Sequence, residues 1–286
     1  MRLPEGRRIV FVDIDGTIIA HDGTIPDSAV AAIRGARAAG HLVLLATGRS
    51  PRELDPRVEE IGFDGAVLSA GAFVRVAEEW VIEHTMPLPM VRRMVEAFEL
   101  LGLDYALQAR DGVHPSAGRR EDVRQLLSLT DERLGEDAER APRARIAKAV
   151  FLGTAQDAFE RVHAVLAPEG FTVITGTMPS LGTGGGEVSP GGVSKGASIL
   201  ELLEREGIDP SRAIGIGDNN NDLEMLAVCG VGIAMGNATA PALAAADEVT
   251  GSVHEDGLAE AFARHGLLDP HGVVIRPRAR RDPAAT

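Results

Sequence analysis

The sequence predicts an α/β fold in which a doubly wound parallel sheet forms the core and carries an inserted α+β cap. Apolar, strand-like runs alternate with helix-like segments over the first 70 residues, and the same alternation returns after residue 195. Between these two segments the helices and strands follow a different order, as in a separate module. The predicted bounds are 1–84 and 191–269 for a discontinuous core, 85–190 for the cap and 270–286 for a flexible tail.

The composition narrows the classes of partner. With 29 basic and 42 acidic side chains, the formal net charge is −13, which argues against nucleic acid as a partner. No apolar run reaches the ~18 residues that a membrane span needs, so we expect no membrane partner. The single cysteine, Cys229, rules out an internal disulfide framework and indicates a cytoplasmic protein. The oligomeric state cannot be read from the sequence.

The first predicted strand, 9–13, leads directly into two carboxylates, Asp13 and Asp15. Carboxylates this close repel, and they usually need a cation or a proton between them. Gly16 allows a tight turn, so the backbone can approach a ligand closely. This combination suits a phosphate held by magnesium, with one carboxylate as nucleophile and the other as proton shuttle.

The remaining elements of the core follow from apolar periodicity and from glycine and proline boundaries. The strand that precedes Thr47, Gly48 and Arg49 again ends in polar residues, and so does the strand that precedes Asp218. The predicted core helices are 28–39, 51–61, 197–206, 223–228, 241–246 and 255–265, and the strands after the first are 41–46, 65–69, 213–217, 230–235 and 248–250.

The inserted segment is less regular. It is predicted to contain helices at 87–101 and 154–166, short strands within 104–114, and strands at 147–152 and 171–175. Residues 115–143 are charged with helical spacing, and a glycine-rich loop covers 182–192. Lys195 follows this loop at the start of a helix, where the helix dipole disfavours a cation, so a compensating anion is expected.

Four local sequences, taken in order, resemble the motifs of the haloacid dehalogenase (HAD) superfamily. They are Asp-Ile-Asp-Gly-Thr from Asp13, Ala-Thr-Gly-Arg ending at Arg49, Ser-Lys-Gly around Lys195 and Gly-Asp-Asn-Asn-Asn-Asp from Gly217. Within the superfamily, the chain is similar to Cof-type, sugar-phosphatase-like hydrolases with a large C2-type cap over a Rossmann-like core. The resemblance covers about residues 9–262 and implies a Mg²⁺-dependent phosphatase for small phosphate monoesters.

The resemblance also implies roles for individual residues. Asp13 would attack phosphorus and form an aspartyl-phosphate, and Asp15 would protonate the leaving oxygen and later deprotonate a water. Thr47 and Lys195 would complete the catalytic set. Phosphate contacts would come from Gly16, Gly48, Arg49 and Asn221, although Arg49 could equally pair with a carboxylate of the site or face solvent. The metal ligands would be Asp13, the carbonyl of Asp15 and Asp218. Asp222 would hold Lys195, the phosphate or a metal-bound water.

Two other functions stay open at this point. A phosphomutase would reuse the aspartyl-phosphate to phosphorylate a second hydroxyl, and a catalytically silent protein would only bind a metabolite. The partner in each case is a small phosphorylated metabolite, whose identity the sequence does not give.

Ala70 stands where relatives often carry asparagine, which removes a side-chain amide from that position. Cap contacts to the substrate are expected among Arg110, Asp111, His114, Arg119 and Arg120.

Overall fold

The computed structural model describes residues 3–127, 129–152, 157–175 and 184–268. The predicted tail, 270–286, therefore lies outside the described residues. The strands are Ile9–Val12 (β1), Leu42–Ala46 (β2), Gly65–Leu68 (β3), Phe73–Val76 (β4), Glu79–Glu83 (β5), Asp104–Ala109 (β6), Val113–Pro115 (β7), Ile146–Leu152 (β8), Phe171–Thr175 (β9), Gly186–Pro190 (β10), Ala213–Gly217 (β11), Val231–Ala234 (β12) and Glu248–Val249 (β13).

The helices alternate with the strands of the core, and three of them lie in the inserted module. They are Asp27–Ala38 (α1), Pro56–Glu59 (α2), Leu88–Leu100 (α3), Arg120–Leu126 (α4), Ala158–Leu166 (α5), Lys195–Glu206 (α6), Leu223–Val228 (α7), Ala240–Ala245 (α8) and Gly257–Arg264 (α9). No helix among the described residues is long and apolar enough to cross a membrane.

The core sheet has the strand order β13-β12-β11-β1-β2-β3-β4-β5. The pairs from β13 to β3 are parallel, and β4 and β5 continue the sheet as antiparallel strands. Because the chain leaves β1 towards β2 and later returns to β11 on its other side, the strand order reverses at β1. Ligands of such sheets bind outside the carboxyl ends of the strands at this reversal. The predicted α/β fold is confirmed.

Strand β1 is buried on both faces, as its continuous apolar sequence predicts. Val10 and Val12 pack in the cluster that α1 and α9 complete, whereas Ile9 and Phe11 pack in the cluster of α6. A strand held from both sides is a rigid support, so the residues that follow Val12 are placed by the core itself.

The second sheet lies in the segment predicted as the cap and has the strand order β7-β6-β8-β10-β9, all antiparallel. One face carries Tyr105, Leu107, Ala149 and Phe151, which pack with residues of α3 and α5 in a separate apolar cluster. The two modules therefore have separate hydrophobic cores. The bounds proposed for core and cap stay a prediction.

Two local predictions were wrong, and two strands were missed. The helix predicted at 51–61 is reduced to Pro56–Glu59, because Asp55 caps the start of α2 by accepting a hydrogen bond from Arg57 N. Strands β4 and β5 were missed, because the turn between them uses Ala77 at φ 49° and lacks the usual glycine or asparagine. Strand β10 lies in the segment predicted as a glycine-rich loop, and the charged region 115–143 forms α4 with two short turns of 3₁₀ helix.

Candidate active site

The candidate site lies at the carboxyl ends of β1, β2 and β11. Asp13 follows β1, is 4% exposed and donates its backbone N–H to Ile216 O at 2.9 Å. Gly16 has φ +87°, and a Cβ at this position would overlap the carboxylate of Asp218. The close approach of the two loops therefore depends on glycine. This close approach brings together the carboxylates of Asp13 and Asp218, which are about 200 residues apart in sequence.

Lys195 is the cation of this cluster. Its side chain is fully buried, and Nζ donates to Asp13 Oδ1 and to Asp222 Oδ1, both at 2.6 Å. Burial alone would lower the pKa of Lys195, but the charges of Asp13 and Asp222 raise it above the ordinary value. The anion expected from the position of Lys195 in the first turn of α6 is thus a pair of carboxylates.

Asp13, Asp218 and Asp222 together form a buried group whose carboxylate oxygens lie within 4.8 Å of one another. Burial raises the pKa of Asp13 well above its ordinary value, against the opposing charge of Lys195. Burial and then the charge of Asp222 raise the pKa of Asp218 to about 7. One lysine therefore does not compensate all the charge that these carboxylates would carry, and a divalent cation would supply the remainder.

The hydrogen bonds indicate which carboxylates remain for a cation. Asp222 Oδ2 accepts the backbone N–H groups of Asp218 and Asn219, both at 3.0 Å, in addition to the contact of Oδ1 with Lys195. Among the described residues, the carboxylate of Asp218 has a single, long hydrogen-bond contact, with Thr17 Oγ1 at 3.4 Å. Asp13 and Asp218 therefore fit an oxygen-ligated metal better than Asp222, which fixes Lys195 and the loop after β11.

Asp15 lies outside the group that Asp13, Asp218 and Asp222 form, and it pairs with Arg49. Arg49 makes a bidentate contact with Asp15. Arg49 Nε donates to Asp15 Oδ2 at 2.9 Å, and Arg49 Nη2 donates to Asp15 Oδ1 at 2.6 Å. Arg49 also donates to Glu53 O at 3.1 Å. Arg49, which was predicted to contact the phosphate, thus contacts the predicted proton shuttle.

The loop after β2 is fixed by backbone contacts rather than by the side chain at position 70. Thr47 is 1% exposed and its Oγ1 accepts the backbone N–H of Arg49 at 3.1 Å. Ser69 N and Ala70 N donate to Arg49 O and Thr47 O, at 2.8 and 3.0 Å. The absence of an amide at Ala70 therefore leaves the support of this loop intact.

A cavity of about 340 Å³ opens above these residues. Seven of the predicted site residues line it, whereas Lys195, Asp218 and Asp222 lie outside its lining and contact or adjoin Asp13. Cap strands supply further wall residues. The predicted residues in the lining are Asp13, Asp15, Gly16, Thr47, Gly48, Arg49 and Asn221.

A family profile described as haloacid dehalogenase-like hydrolase matches residues 10–262. The chain belongs to the haloacid dehalogenase-like hydrolases. It is 32% identical over 271 residues to a putative phosphatase, YkrA, of Bacillus subtilis, covering 91% of this chain and 98% of the relative. It is 30% identical over 257 residues to a phosphoglycolate phosphatase of Methanothermobacter thermautotrophicus, covering 90% and 98%.

Solved structures of the family have the same fold. The HAD subclass IIB sugar phosphatase BT4131 superposes with a TM-score of 0.78 at 25% identity, covering 91% of this chain and 99% of that one. A protein of Geobacillus kaustophilus superposes with the same TM-score at 26% identity, covering 91% and 99%. The predicted enzyme class, a phosphoric monoester hydrolase, is confirmed by these relatives.

Sequence reasoning missed the cap residues of the HAD-like site. Gln108, Lys148 and Glu187 line the cavity, and none was predicted to do so. One signal could have found Lys148, because it is one of only two lysines among 29 basic side chains. The five expected cap contacts are absent from the cavity lining among the described residues; Arg110, for example, pairs with Glu83 and lies over the ring of Trp80.

Proposed function

We propose that this HAD-like hydrolase cleaves small phosphate monoesters with Mg²⁺, through an aspartyl-phosphate formed on Asp13. The observation that carries this proposal is the environment of Asp13. It is buried at the end of a rigid strand, its Oδ1 contacts Lys195 Nζ at 2.6 Å, and it borders both the cavity and Asp218. The ammonium of Lys195 opposes the effect of burial on Asp13, so it favours the ionised carboxylate that attacks phosphorus, and it holds this group in a fixed position.

The same residues fit the charge changes of the reaction. In the first half, an Asp13 oxygen bonds to phosphorus, the ester oxygen leaves, and a proton from Asp15 neutralises it. In the second half, Asp15 removes a proton from a water that attacks phosphorus, which releases phosphate and restores Asp13. Both proton transfers require Asp15 to break its hydrogen bonds with Arg49. The guanidinium of Arg49 can then bind the phosphoryl oxygens.

Lys195, Thr47 and the metal share the remaining charge of the phosphoryl group. Mg²⁺ would be held by Asp13 and Asp218, with the carbonyl of Asp15 assigned from the family resemblance, and when bound it neutralises the phosphoryl oxygens. Thr47 can donate its hydroxyl because its Oγ1 accepts only from Arg49 N. Positioning and charge neutralisation supply most of the rate enhancement in phosphoryl transfer.

The cavity supports a small substrate. About 340 Å³ lies at the lower end of the ~300–1,000 Å³ that is usual for ligand sites. One relative is named a phosphoglycolate phosphatase and one structural neighbour a sugar phosphatase, so the printed names differ in their leaving groups. We propose sugar phosphates or similar metabolites as substrates, in the cytoplasm, where the buried thiol of Cys229 stays reduced.

A screen of phosphorylated metabolites tests the proposed function. Purified protein with Mg²⁺ should release inorganic phosphate from at least one ester, whereas Asp13→Asn should release none. Tight binding without turnover would support a silent binding protein instead. A radiolabelled substrate separates the third possibility, because a phosphatase yields free phosphate and a mutase passes through a bisphosphorylated intermediate.

A further inference from the structure

Lysine is rare in this chain, and both lysines are buried at the active site. Of 29 basic residues, Lys148 and Lys195 are the only lysines. Lys195 donates a hydrogen bond to Asp13. Lys148 lies in β8 of the cap sheet, its side chain is 2% exposed, and it lines the catalytic cavity. All other basic residues of the chain are arginines. A lysine at this position supplies a compact ammonium group with three separate donors, and a planar guanidinium does not have this geometry.

The sheet register places Lys148 among polar neighbours on the face opposite the apolar cluster of the cap. Gln108 on β6 is paired with Lys148, and Glu187 on β10 is paired with Val150, two residues further along β8. Because side chains alternate along a strand, Gln108, Lys148, Val150 and Glu187 share one face. All four line the catalytic cavity.

Two of these cap residues contact the core across the cavity. Lys148 Nζ donates to Glu187 Oε2 at 2.6 Å and to Gly48 O, in the loop after Thr47, at 2.7 Å. Gln108 Nε2 donates to both carboxylate oxygens of Glu53 at 2.9 Å. The leaving group of a phosphate ester bound at Asp13 must therefore lie against these cap side chains.

The basic side chains that line the cavity are already paired with carboxylates. Among the described residues that line the cavity, each arginine or lysine already has a carboxylate partner: Arg49 has Asp15, Arg57 has Asp55 and Lys148 has Glu187. Glu53 adds a further carboxyl group, whose pKa is raised by burial against the charge of Lys148. A second anionic group on the substrate would therefore meet no unpaired cation and would face Glu187 and Glu53.

The same wall still offers hydrogen bonds to neutral groups. Two of the three ammonium hydrogens of Lys148 are used, by Glu187 and Gly48, which leaves one for a ligand oxygen. Gln108 is 1% exposed, and its Oε1 is buried without a partner in the described structure. A buried acceptor of this kind is costly unless a ligand donates to it.

We infer that Lys148, Glu187 and Gln108 determine the leaving group, selecting neutral, hydroxyl-rich alcohols and rejecting those that carry a carboxylate. This inference rests on the proposed function and deepens it. A sugar or polyol hydroxyl can accept from Lys148 and donate to Glu187 or Gln108 without disturbing the ion pair. A carboxylate could also accept the remaining hydrogen of Lys148, but the charge of Lys148 is already paired with Glu187, so the carboxylate would add a buried negative charge beside Glu187 and Glu53 without compensation.

The test compares two esters that differ at one group. Sorbitol phosphate ends in a hydroxymethyl group, and phosphogluconate has a carboxylate there. Wild-type kcat/KM should favour sorbitol phosphate by at least about tenfold, the factor that corresponds to about 1.4 kcal/mol. Glu187→Gln leaves the ammonium of Lys148 unpaired and should reduce this ratio at least about tenfold. Glu160→Gln, which removes the same charge from an exposed cap position outside the cavity lining, should leave the ratio unchanged.

A binding measurement separates selectivity from turnover. Calorimetry with Asp13→Asn should show the same preference for sorbitol phosphate, and adding Glu187→Gln to this variant should reduce the preference. Since the chain has only two lysines, ¹⁵N-lysine labelling gives two side-chain ammonium signals, and sorbitol phosphate should shift the one that Lys148→Met removes.

The outcomes are distinct. Hydrolysis of p-nitrophenyl phosphate by wild type together with a preference for phosphogluconate overturns the inference and leaves the proposed function standing. The inference is also overturned if Glu187→Gln still unfolds cooperatively and its ratio of kcat/KM for sorbitol phosphate over phosphogluconate equals that of Glu160→Gln. No hydrolysis of any ester overturns the proposed function, and the binding preference then decides the inference alone. A misfolded Glu187→Gln leaves the decision to the wild-type ratio and the ammonium shift.

Discussion

Replacing Lys195 by methionine removes the only cation that contacts Asp13 in the described structure, with little change in side-chain length. The side chain is fully buried, and two carboxylates depend on it at 2.6 Å each. Removing one partner of a buried ion pair costs about 3–5 kcal/mol, because the remaining charge is left without compensation. Since domains are stable by about 5–15 kcal/mol in total, the variant should unfold at a clearly lower urea concentration.

The catalytic effect of Lys195→Met should also be large. Loss of one preorganised donor to a developing charge typically lowers kcat by about 10²–10³, and Lys195 in addition orients the nucleophile. The assay combines urea unfolding followed by circular dichroism with kcat/KM for an active ester. Arg92→Met removes the same charge from an exposed position of α3 and should change stability by less than about 0.5 kcal/mol.

A double variant distinguishes lost charge compensation from lost packing. Lys195→Met with Asp222→Asn removes one of the stranded carboxylates, so it should recover part of the stability of Lys195→Met and none of its activity. The reasoning is refuted if Lys195→Met unfolds at the same urea concentration as Arg92→Met, or if it retains wild-type kcat/KM.

Further predictions concern the metal, the close approach at Gly16 and a buried histidine. Mg²⁺ should raise the Tm of EDTA-treated wild type in differential scanning fluorimetry but not that of Asp218→Asn, and equal shifts would contradict the assigned ligands. Gly16→Ala should lower kcat at least about tenfold by displacing Asp218, whereas Gly170→Ala, with a similar φ of +88° and open space around its Cβ, lies outside the cavity lining and should not. Burial, with Arg7 and Arg8, lowers the pKa of His41 from 6.5 to about 4, so the unfolded chain takes up a proton first and stability should fall by up to about 3 kcal/mol as pH drops from 6.5 towards 4. His41→Asn keeps an acceptor for Arg8 N and should flatten this urea-unfolding profile between the two pH values; an unchanged slope would assign the loss to other groups.

The sequence predicts the core of this fold well because its signals are local. Strands β1, β2 and β11 are apolar runs of four or five residues, and the polar residue that follows each of them marks the catalytic edge. An anion near Lys195 was predictable from the helix dipole, whereas its identity as Asp13 followed only from the family resemblance.

The cap side of the site could not be predicted by the same reasoning. The contact between Lys148 and Gly48 spans 100 residues, and the lysine lies inside an apolar strand that reads as part of a hydrophobic core. The charged residues within 110–120, which were expected to contact the substrate, form contacts away from the cavity, such as that of Arg119 with Asp104. Only the register of β6, β8 and β10 reveals which polar residues share the cavity face.

The central claim is that Asp13 becomes covalently phosphorylated, and rapid acid quench with peptide mass spectrometry tests it most directly. Asp15→Asn with p-nitrophenyl phosphate is the suitable combination, because this leaving group needs no proton donor whereas the second half of the reaction needs Asp15 as base. The peptide that contains Asp13 should carry one phosphoryl group in this variant and none in Asp13→Asn. Release of nitrophenol without any phosphorylated peptide, or hydrolysis by Asp13→Asn at the wild-type rate, would contradict the claim.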